Sequence, residues 1–121
     1  MASQTNSHIH TGQKGENLAV KYLQKQGYSI LHRNYRYKRS EIDIIAEKDG
    51  VLIFVEVKTR ATDFFGYPEK AVNRRKERRL LNAAEVYIHR EKWLKDIRFD
   101  IVSVTLLEPE PFIHHIEDAF H

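Results

Sequence analysis

The sequence predicts an α/β fold in which a mixed β-sheet is flanked by helices, with elements in the order α-β-β-β-α-β-β. Two segments have the apolar spacing of amphipathic helices, one before and one after a group of short apolar strands. Asp49-Gly50 is a strong hairpin signal between two strands rich in Ile, Val and Phe. Because the second helix then separates two strands, we expect those strands to run parallel.

The first helix is predicted over about Gln13–Gln26, ending at Gly27. Met1–Thr11 is polar and is expected to be a flexible lead-in, which leaves residues 12–121 as one domain. Glu16 shares one stripe of this helix with Ala19, Val20 and Leu23. It either compensates the helix dipole in the first turn or serves a site beside the helix.

Tyr28–Arg33 reads as the first strand, followed by a basic, aromatic link over Asn34–Arg39. Such a link can contact phosphates and stack on unpaired bases. The alternative is an exposed strand end, where tyrosine and lysine are ordinary.

The next two strands are predicted over Glu41–Glu47 and Val51–Lys58. With Asp49 and Gly50 as the loop, Asp43 lies opposite Glu56 and Glu41 opposite Lys58, and all four side chains share one face. The other face carries only apolar side chains: Ile42, Ile44, Ala46, Val51, Ile53, Val55 and Val57.

Opposed carboxylates on neighbouring strands repel each other. A magnesium or manganese ion held by oxygen ligands would relieve that repulsion at Asp43 and Glu56. The alternative is a surface ion-pair ladder, with Glu41 paired to Lys58 and Asp43 solvated.

A loop over Thr59–Tyr67 is expected next, then a helix from Pro68 to about Arg90. The helix is strongly basic, and its Lys76 and Arg79 fall on or beside the apolar stripe. A basic helix is either a solvated face or a nucleic-acid contact.

The last strands are predicted over Arg98–Leu107 and Phe112–Ile116. His114 and His115 are adjacent, so they point to opposite sides of a strand and read as ordinary strand histidines rather than a metal pair.

Composition sets the class of protein. The chain has 121 residues, no cysteine and no apolar run long enough to span a membrane, so a cytoplasmic protein is expected. The net charge of +3 is too small by itself to indicate nucleic acid.

Asp43 followed by Glu56-Val57-Lys58 resembles the D…ExK signature of the restriction-endonuclease-like, PD-(D/E)XK superfamily. The longer string Glu41–Arg60, with Gly15-Glu16 before it and Phe65-Gly66 after it, resembles the YraN family of small bacterial proteins, which are similar to archaeal Holliday junction resolvases. Ser40 stands where that family usually has glycine.

This resemblance implies a restriction-endonuclease-like fold and a magnesium- or manganese-dependent endonuclease acting on DNA, including branched or structured DNA. The implied metal ligands are Asp43, Glu56, the Val57 carbonyl and Glu16, the last directly or through water. Lys58 would orient the attacking water. The residues expected to hold nucleic acid are Lys76, Arg74, Arg75, Arg79, Arg60 and Thr59.

Resolvases of the superfamily act as dimers, so a homodimer is an expectation, although no self-complementary patch is evident in the sequence. The role of Glu41 is open, with a pairing to Lys58 as one interpretation. Two other functions stay open as well: a non-catalytic nucleic-acid-binding module on the same fold, and a small interaction protein whose charges only confer solubility.

Overall fold

The computed structural model describes the backbone of residues 4–61 and 74–120 and the side chains of residues 12–61 and 75–120. The elements are α1 (Gln4–Lys25), β1 (Ser29–Tyr37), β2 (Ser40–Lys48), β3 (Val51–Arg60), α2 (Arg74–Glu91), β4 (Ile97–Thr105) and β5 (Phe112–Ile116). The predicted α/β class and element order are confirmed. The end of the predicted loop and the first turns of the predicted second helix lie outside the described residues.

The sheet follows chain order, β1-β2-β3-β4-β5. Its neighbouring strands are antiparallel except for β3 and β4, which are parallel because α2 connects them. The β2–β3 turn has positive φ at both Asp49 (52°) and Gly50 (79°), as a primed two-residue turn requires. Lys48 therefore pairs with Val51, as predicted.

Each face of the sheet is covered by one helix, which gives three layers. Ala19 and Leu23 of α1 pack against one face, in a cluster with Ile44, Ala46, Ile53, Val55, Val102 and Val104. Leu80, Ala83, Ala84 and Tyr87 of α2 pack against the other face, in a cluster with Ile45, Leu52, Phe54 and Phe99. Neither described helix is long and apolar enough to cross a membrane.

Three of the differences between predicted and observed bounds bear on the site. α1 begins at Gln4, inside the segment expected to be a lead-in, so Glu16 lies in mid-helix and its dipole-compensating interpretation is wrong. β1 continues through Tyr37, so most of the predicted basic link is an edge strand. β3 continues to Arg60, which places Thr59 and Arg60 in the strand rather than in a loop.

Candidate active site

Asp43 lies where the regular alternation of β2 is interrupted. Ile42 packs in the cluster beneath α2, whereas Ile44 packs in the cluster beneath α1. Uninterrupted alternation would put both isoleucines on one face, so the prediction for Ile42 is wrong. The neighbouring residue of β1, Asn34, has a left-handed φ of 53°. Asp43 Oδ2 accepts a hydrogen bond of 2.8 Å from the Val57 amide, a bond that fixes its carboxylate at the end of the β2–β3 ladder.

The predicted hairpin register holds from the turn as far as the pair Ile44–Val55, where the β2–β3 register ends. The predicted pair Asp43–Glu56, which would come next along the two strands, is therefore absent from the β2–β3 ladder. The two carboxyls are still neighbours, because Glu56 is one of the groups that shift the pKa of Asp43.

One interpretation paired Glu41 with Lys58, and this interpretation is wrong, because Glu41 pairs with Arg36 instead. Its carboxylate lies 3.5 Å from the guanidinium of Arg36 on β1. Both side chains are well exposed, so this ion pair contributes little to stability.

Glu56 is a buried carboxylate held between two ammonium groups. Only 6% of the residue is exposed. Lys76 Nζ, from α2, lies 2.7 Å from Glu56 Oε2, and Lys58 Nζ lies 3.5 Å from the same oxygen. The position of Lys76 beside the apolar stripe of α2 is explained by this contact, in which Lys76 is a counter-ion to Glu56.

The pKa of the Asp43 carboxyl is raised to about 7. Burial is the largest cause, and the nearby charge of Glu56 is the second. Glu16 and Glu41 add smaller repulsions, while the hydrogen bond from Val57 acts in the opposite direction. Because its pKa is raised, the Asp43 carboxyl keeps its proton to a higher pH than an exposed aspartate does.

The two lysines respond in opposite ways. Burial lowers the pKa of Lys58, and the neighbouring Lys76 lowers it further, against the attraction of Glu56. Burial also acts to lower the pKa of Lys76, but hydrogen bonds with Glu56 and Lys58 outweigh it and raise the pKa. Lys76 is thus the more firmly charged of the pair.

Glu16 is oriented toward the sheet and already has partners. Its Oε1 accepts hydrogen bonds from Arg33 Nε at 3.1 Å and Nη2 at 2.8 Å, and from Asn34 Nδ2 at 3.1 Å. The helix approaches β3 closely here, because a Cβ added at Gly15 would overlap the Thr59 side chain. Gly15 therefore sets the distance between Glu16 and the sheet.

Two cavities meet at Asp43. The α1-side cavity, of about 630 Å³, is lined by Glu16, Asn17, Arg33, Thr59 and others. The α2-side cavity, of about 410 Å³, is lined by Glu56, Lys76 and the arginines 39, 75 and 79. Asp43 and Glu41 line both. The two cavities differ in charge, because cations dominate the α2 side.

The carboxylate oxygens of Asp43 and Glu56 are ligands that suit a hard divalent cation, as is the carbonyl oxygen of Val57, the next residue in the sequence. After burial, repulsion from Glu56 is the largest cause of the raised pKa of Asp43, and this repulsion is a second sign that positive charge would be favourable here. Among the described side chains no three His, Cys, Asp or Glu residues form a ready-made metal cluster. These residues fit a two-carboxylate site, in which Lys76 and a bound ion would share Glu56.

Most predicted site residues come together in this region. Asp43, Glu56, Lys58, Lys76 and Glu16 line or adjoin the two cavities, as do Thr59, Arg75 and Arg79. Arg60 ends β3, where its carbonyl accepts the Leu106 amide, and the side chain of Arg74 lies outside the described residues.

The partners of Glu16 were not among the predicted site residues. Arg33 and Asn34 belong to the basic segment seen in the sequence, but their contact with α1 had no local signal. Asparagine is enriched at left-handed φ, and this property was the one available hint for Asn34.

The two histidines on β5 point to different environments, as predicted. His114 is exposed, whereas the His115 ring lies between Tyr22 Oη (3.1 Å from Nδ1) and Asp100 Oδ2 (2.8 Å from Nε2). His115 therefore links β5 to β4 and α1.

Asp100, fully buried on β4, organises a second polar cluster. Arg98 donates two hydrogen bonds of 2.8 Å to its carboxylate, and the Asp118 amide donates another of 3.0 Å. Burial alone would raise the pKa of Asp100, but hydrogen bonds from His115, Arg98 and Asp118 outweigh it and lower the pKa. The cluster fastens the C-terminal strand to the sheet.

Comparison with known proteins identifies the family. Residues 15–104 match the model of "Uncharacterised protein family UPF0102". A UPF0102 protein of Flavobacterium psychrophilum is 44% identical over 114 residues, covering 94% of this chain and 96% of the relative. One from Parabacteroides distasonis is 46% identical over 110 residues, 91% of each chain, and one from Caldicellulosiruptor saccharolyticus is 48% identical over 96 residues, 78% of this chain and 81% of the relative. The chain therefore belongs to the UPF0102 (YraN) family.

Proposed function

We propose that this protein is a metal-dependent endonuclease that hydrolyses phosphodiester bonds in DNA. The observation that carries the proposal is the position of Asp43, which lies at the junction of two cavities and has its pKa raised by burial and by the neighbouring Glu56, whose carboxylate in turn lies 3.5 Å from the Lys58 ammonium. The resemblance of Asp43 and Glu56-Val57-Lys58 to the D…ExK signature supports the same chemistry.

Asp43, Glu56 and the Val57 carbonyl are the residues that would hold a magnesium or manganese ion. Such an ion, when bound, polarises the scissile phosphate and lowers the pKa of its bound water. Glu16 is the fourth expected ligand, and its carboxylate, held by Arg33 and Asn34, adds negative charge on the α1 side.

Lys58 is the residue that would orient the attacking water. Its ammonium lies 3.5 Å from Glu56, and its lowered pKa makes it a better proton acceptor than an exposed lysine. When charged, the same group offsets the negative charge that develops on the phosphoryl oxygens.

Cations of the α2-side cavity would position the substrate. Arg75 and Arg79 are exposed on the first turns of the described part of α2 and face the cavity that contains Glu56. Contacts of this type fix the phosphate backbone without reading sequence.

The test is a cleavage panel of linear, nicked, flapped and four-way-junction DNAs with magnesium or manganese. Asp43→Asn is the decisive variant, and Glu110→Gln, which changes an exposed acid on the β4–β5 connection, is its matched control. We expect wild type and the control to cut at least one substrate and Asp43→Asn to lose at least 100-fold in rate, the scale on which charge stabilisation acts. Equal cutting by Asp43→Asn and wild type would refute the mechanism.

One observation favours a second candidate, a non-catalytic nucleic-acid-binding module. Lys76 lies 2.7 Å from Glu56 and neutralises it without any metal ion. Such a module would bind DNA in a salt-sensitive way and cut nothing in the panel. Loss of binding in Arg79→Gln, together with the absence of cleavage under all conditions, would establish it.

A further inference from the structure

A groove continues from the α2-side cavity along the outside of α2. A third cavity, of about 450 Å³, shares Arg39, Ser40 and Arg79 with the α2-side cavity and extends to Tyr37 and Asn82. We call this third cavity the Tyr37 groove. One wall is the two-residue turn between β1 and β2, and the other is the exposed side of α2. The Tyr37 groove therefore adjoins the cavity that Asp43 and Glu56 line, on the far side of Arg39, Ser40 and Arg79.

The Tyr37 groove itself is mostly positive, with Lys38, Arg39 and Arg79 against Glu85 at its far end. Arg75 and Lys76 extend these cations into the α2-side cavity, where the acids are Glu41, Asp43 and Glu56. Cations that follow a path in this way suit a chain of phosphates rather than one anion.

An aromatic ring and an amide accompany the cations. Tyr37 is partly buried against the core cluster beneath α2, which holds its ring in place, and Lys38 Nζ lies 5.4 Å from the ring centroid. Asn82 faces the groove from an exposed position on α2. Tyr35, the other tyrosine of the segment, is buried with its hydroxyl bound to Arg90, so Tyr37 is the ring that a ligand in the groove would meet.

We propose that the Tyr37 groove binds a single-stranded nucleic-acid segment next to the DNA duplex that enters the site. A base of this segment stacks on Tyr37, while Lys38, Arg39 and Arg79 bind its phosphates. In a double helix the bases are paired and stacked, so none can turn out to stack on a ring that lines a groove. An unpaired strand can turn its bases toward an aromatic side chain.

This inference rests on the proposed function only for the position of the scissile phosphate. It specifies the class of substrate: DNA with an unpaired arm, rather than uninterrupted duplex.

The test measures binding rather than cleavage, so it does not depend on hydrolysis. Fluorescence anisotropy with the full chain in EDTA compares a blunt DNA duplex with the same duplex bearing a single-stranded arm. We expect the arm to tighten binding about 5-fold or more, the smallest gain reported for one stacked base. Tyr37→Leu, which keeps an apolar side chain against the core, should remove that gain and leave blunt-duplex binding unchanged.

A second variant keeps the result interpretable if Tyr37→Leu is unstable. Lys38 has a φ of 55°, where glycine is favoured, so Lys38→Gly should preserve or raise the melting temperature while weakening arm binding. Lys92→Gly is the matched control, because Lys92 is an exposed lysine with a φ of 52° in the α2–β4 connection. It removes the same charge outside the groove and should leave the arm preference intact.

Equal affinity for blunt and armed duplexes would overturn the inference, and so would equal losses of arm-dependent affinity in Lys38→Gly and Lys92→Gly. Full displacement of the arm by polyglutamate would also overturn it, because it would identify an acidic-peptide site. If the arm preference is present but no DNA is ever cut, the groove stands and the nuclease proposal fails. If DNA is cut but an unpaired arm does not tighten binding, the nuclease proposal stands and the groove inference fails.

Discussion

Replacing Asp43 with asparagine should stabilise the folded protein, because the fold disfavours a charge at this position. The folded pKa of Asp43 is raised from 3.8 to about 7. Between these two values the folded state keeps a proton that the unfolded state releases, so the contribution of Asp43 to stability falls as pH rises. Asparagine keeps the shape of the side chain and an acceptor for the Val57 amide, but it cannot ionise.

The size of the effect follows from the shift. A rise from 3.8 to about 7 is about 3 units, and at about 1.4 kcal/mol per unit this sets an upper bound of about 4 kcal/mol. Asp43 is only partly buried, and Glu56 has Lys76 as a partner, so both charges can be accommodated in part. We expect a gain of about 1–3 kcal/mol above about pH 7, falling to nothing below about pH 4.

The assay is urea unfolding followed by circular dichroism at about pH 4, 6 and 8, read as the free energy of unfolding. Wild type is compared with Asp43→Asn and with Glu110→Gln, whose exposed carboxyl should give a flat difference. A gain that is the same at all three pH values would refute the electrostatic explanation. So would a variant less stable than wild type at the highest pH.

Three further predictions concern packing, charge and the second polar cluster. Gly15→Ala should lower the free energy of unfolding by about 1–3 kcal/mol, measured by thermal or urea unfolding, because the added Cβ would overlap Thr59. Gly12→Ala is the control in the same helix: its Cβ meets nothing, so it should be neutral or stabilising. Equal effects of the two substitutions would contradict the close approach of α1 to β3. Arg79→Gln should lower the slope of log affinity against log salt for DNA by about 1, and an unchanged slope would exclude Arg79 from phosphate binding. Asp100→Asn should cost about 1–3 kcal/mol near neutral pH, because the Arg98 guanidinium loses its buried carboxylate partner and keeps only the Tyr28 hydroxyl and the exposed Glu117. Since the pKa of Asp100 is lowered, its contribution is present above its ordinary pKa and is lost as pH falls through the folded value, so the difference between variant and wild type should shrink in acid.

The sheet could be predicted because its signals are local. Asp49-Gly50 fixes a primed turn, and that turn sets the register of β2 against β3. Apolar alternation then marks the strands, and a helical crossover requires β3 and β4 to be parallel. The proximity of Asp43 to Glu56 follows from this register even though the ladder ends at Ile44–Val55, three pairs short of the predicted Glu41–Lys58 pair.

The start of α1, the face occupied by Ile42 and the contact of Lys76 with Glu56 could not be predicted, because nothing in the local sequence signals them. Residues 4–11 are polar and carry no apolar period, so the early start of α1 was not readable. The change of face at Ile42 accompanies the left-handed Asn34 on a different strand. The contact of Lys76 with Glu56 joins residues of different elements across the sheet, and only the packing of α2 creates it.

The order of the sheet has a consequence for how the site assembles. β1, β2 and β3 form a meander of sequence-local pairings, so Asp43 and Glu56 can be brought together before the helical crossover is complete. If this meander forms before α2 docks, the repulsion between Asp43 and Glu56 arises first, and Lys76 reaches Glu56 only on docking. Docking of the helix and neutralisation of the acids are therefore one event, and a change that weakens one should weaken the other.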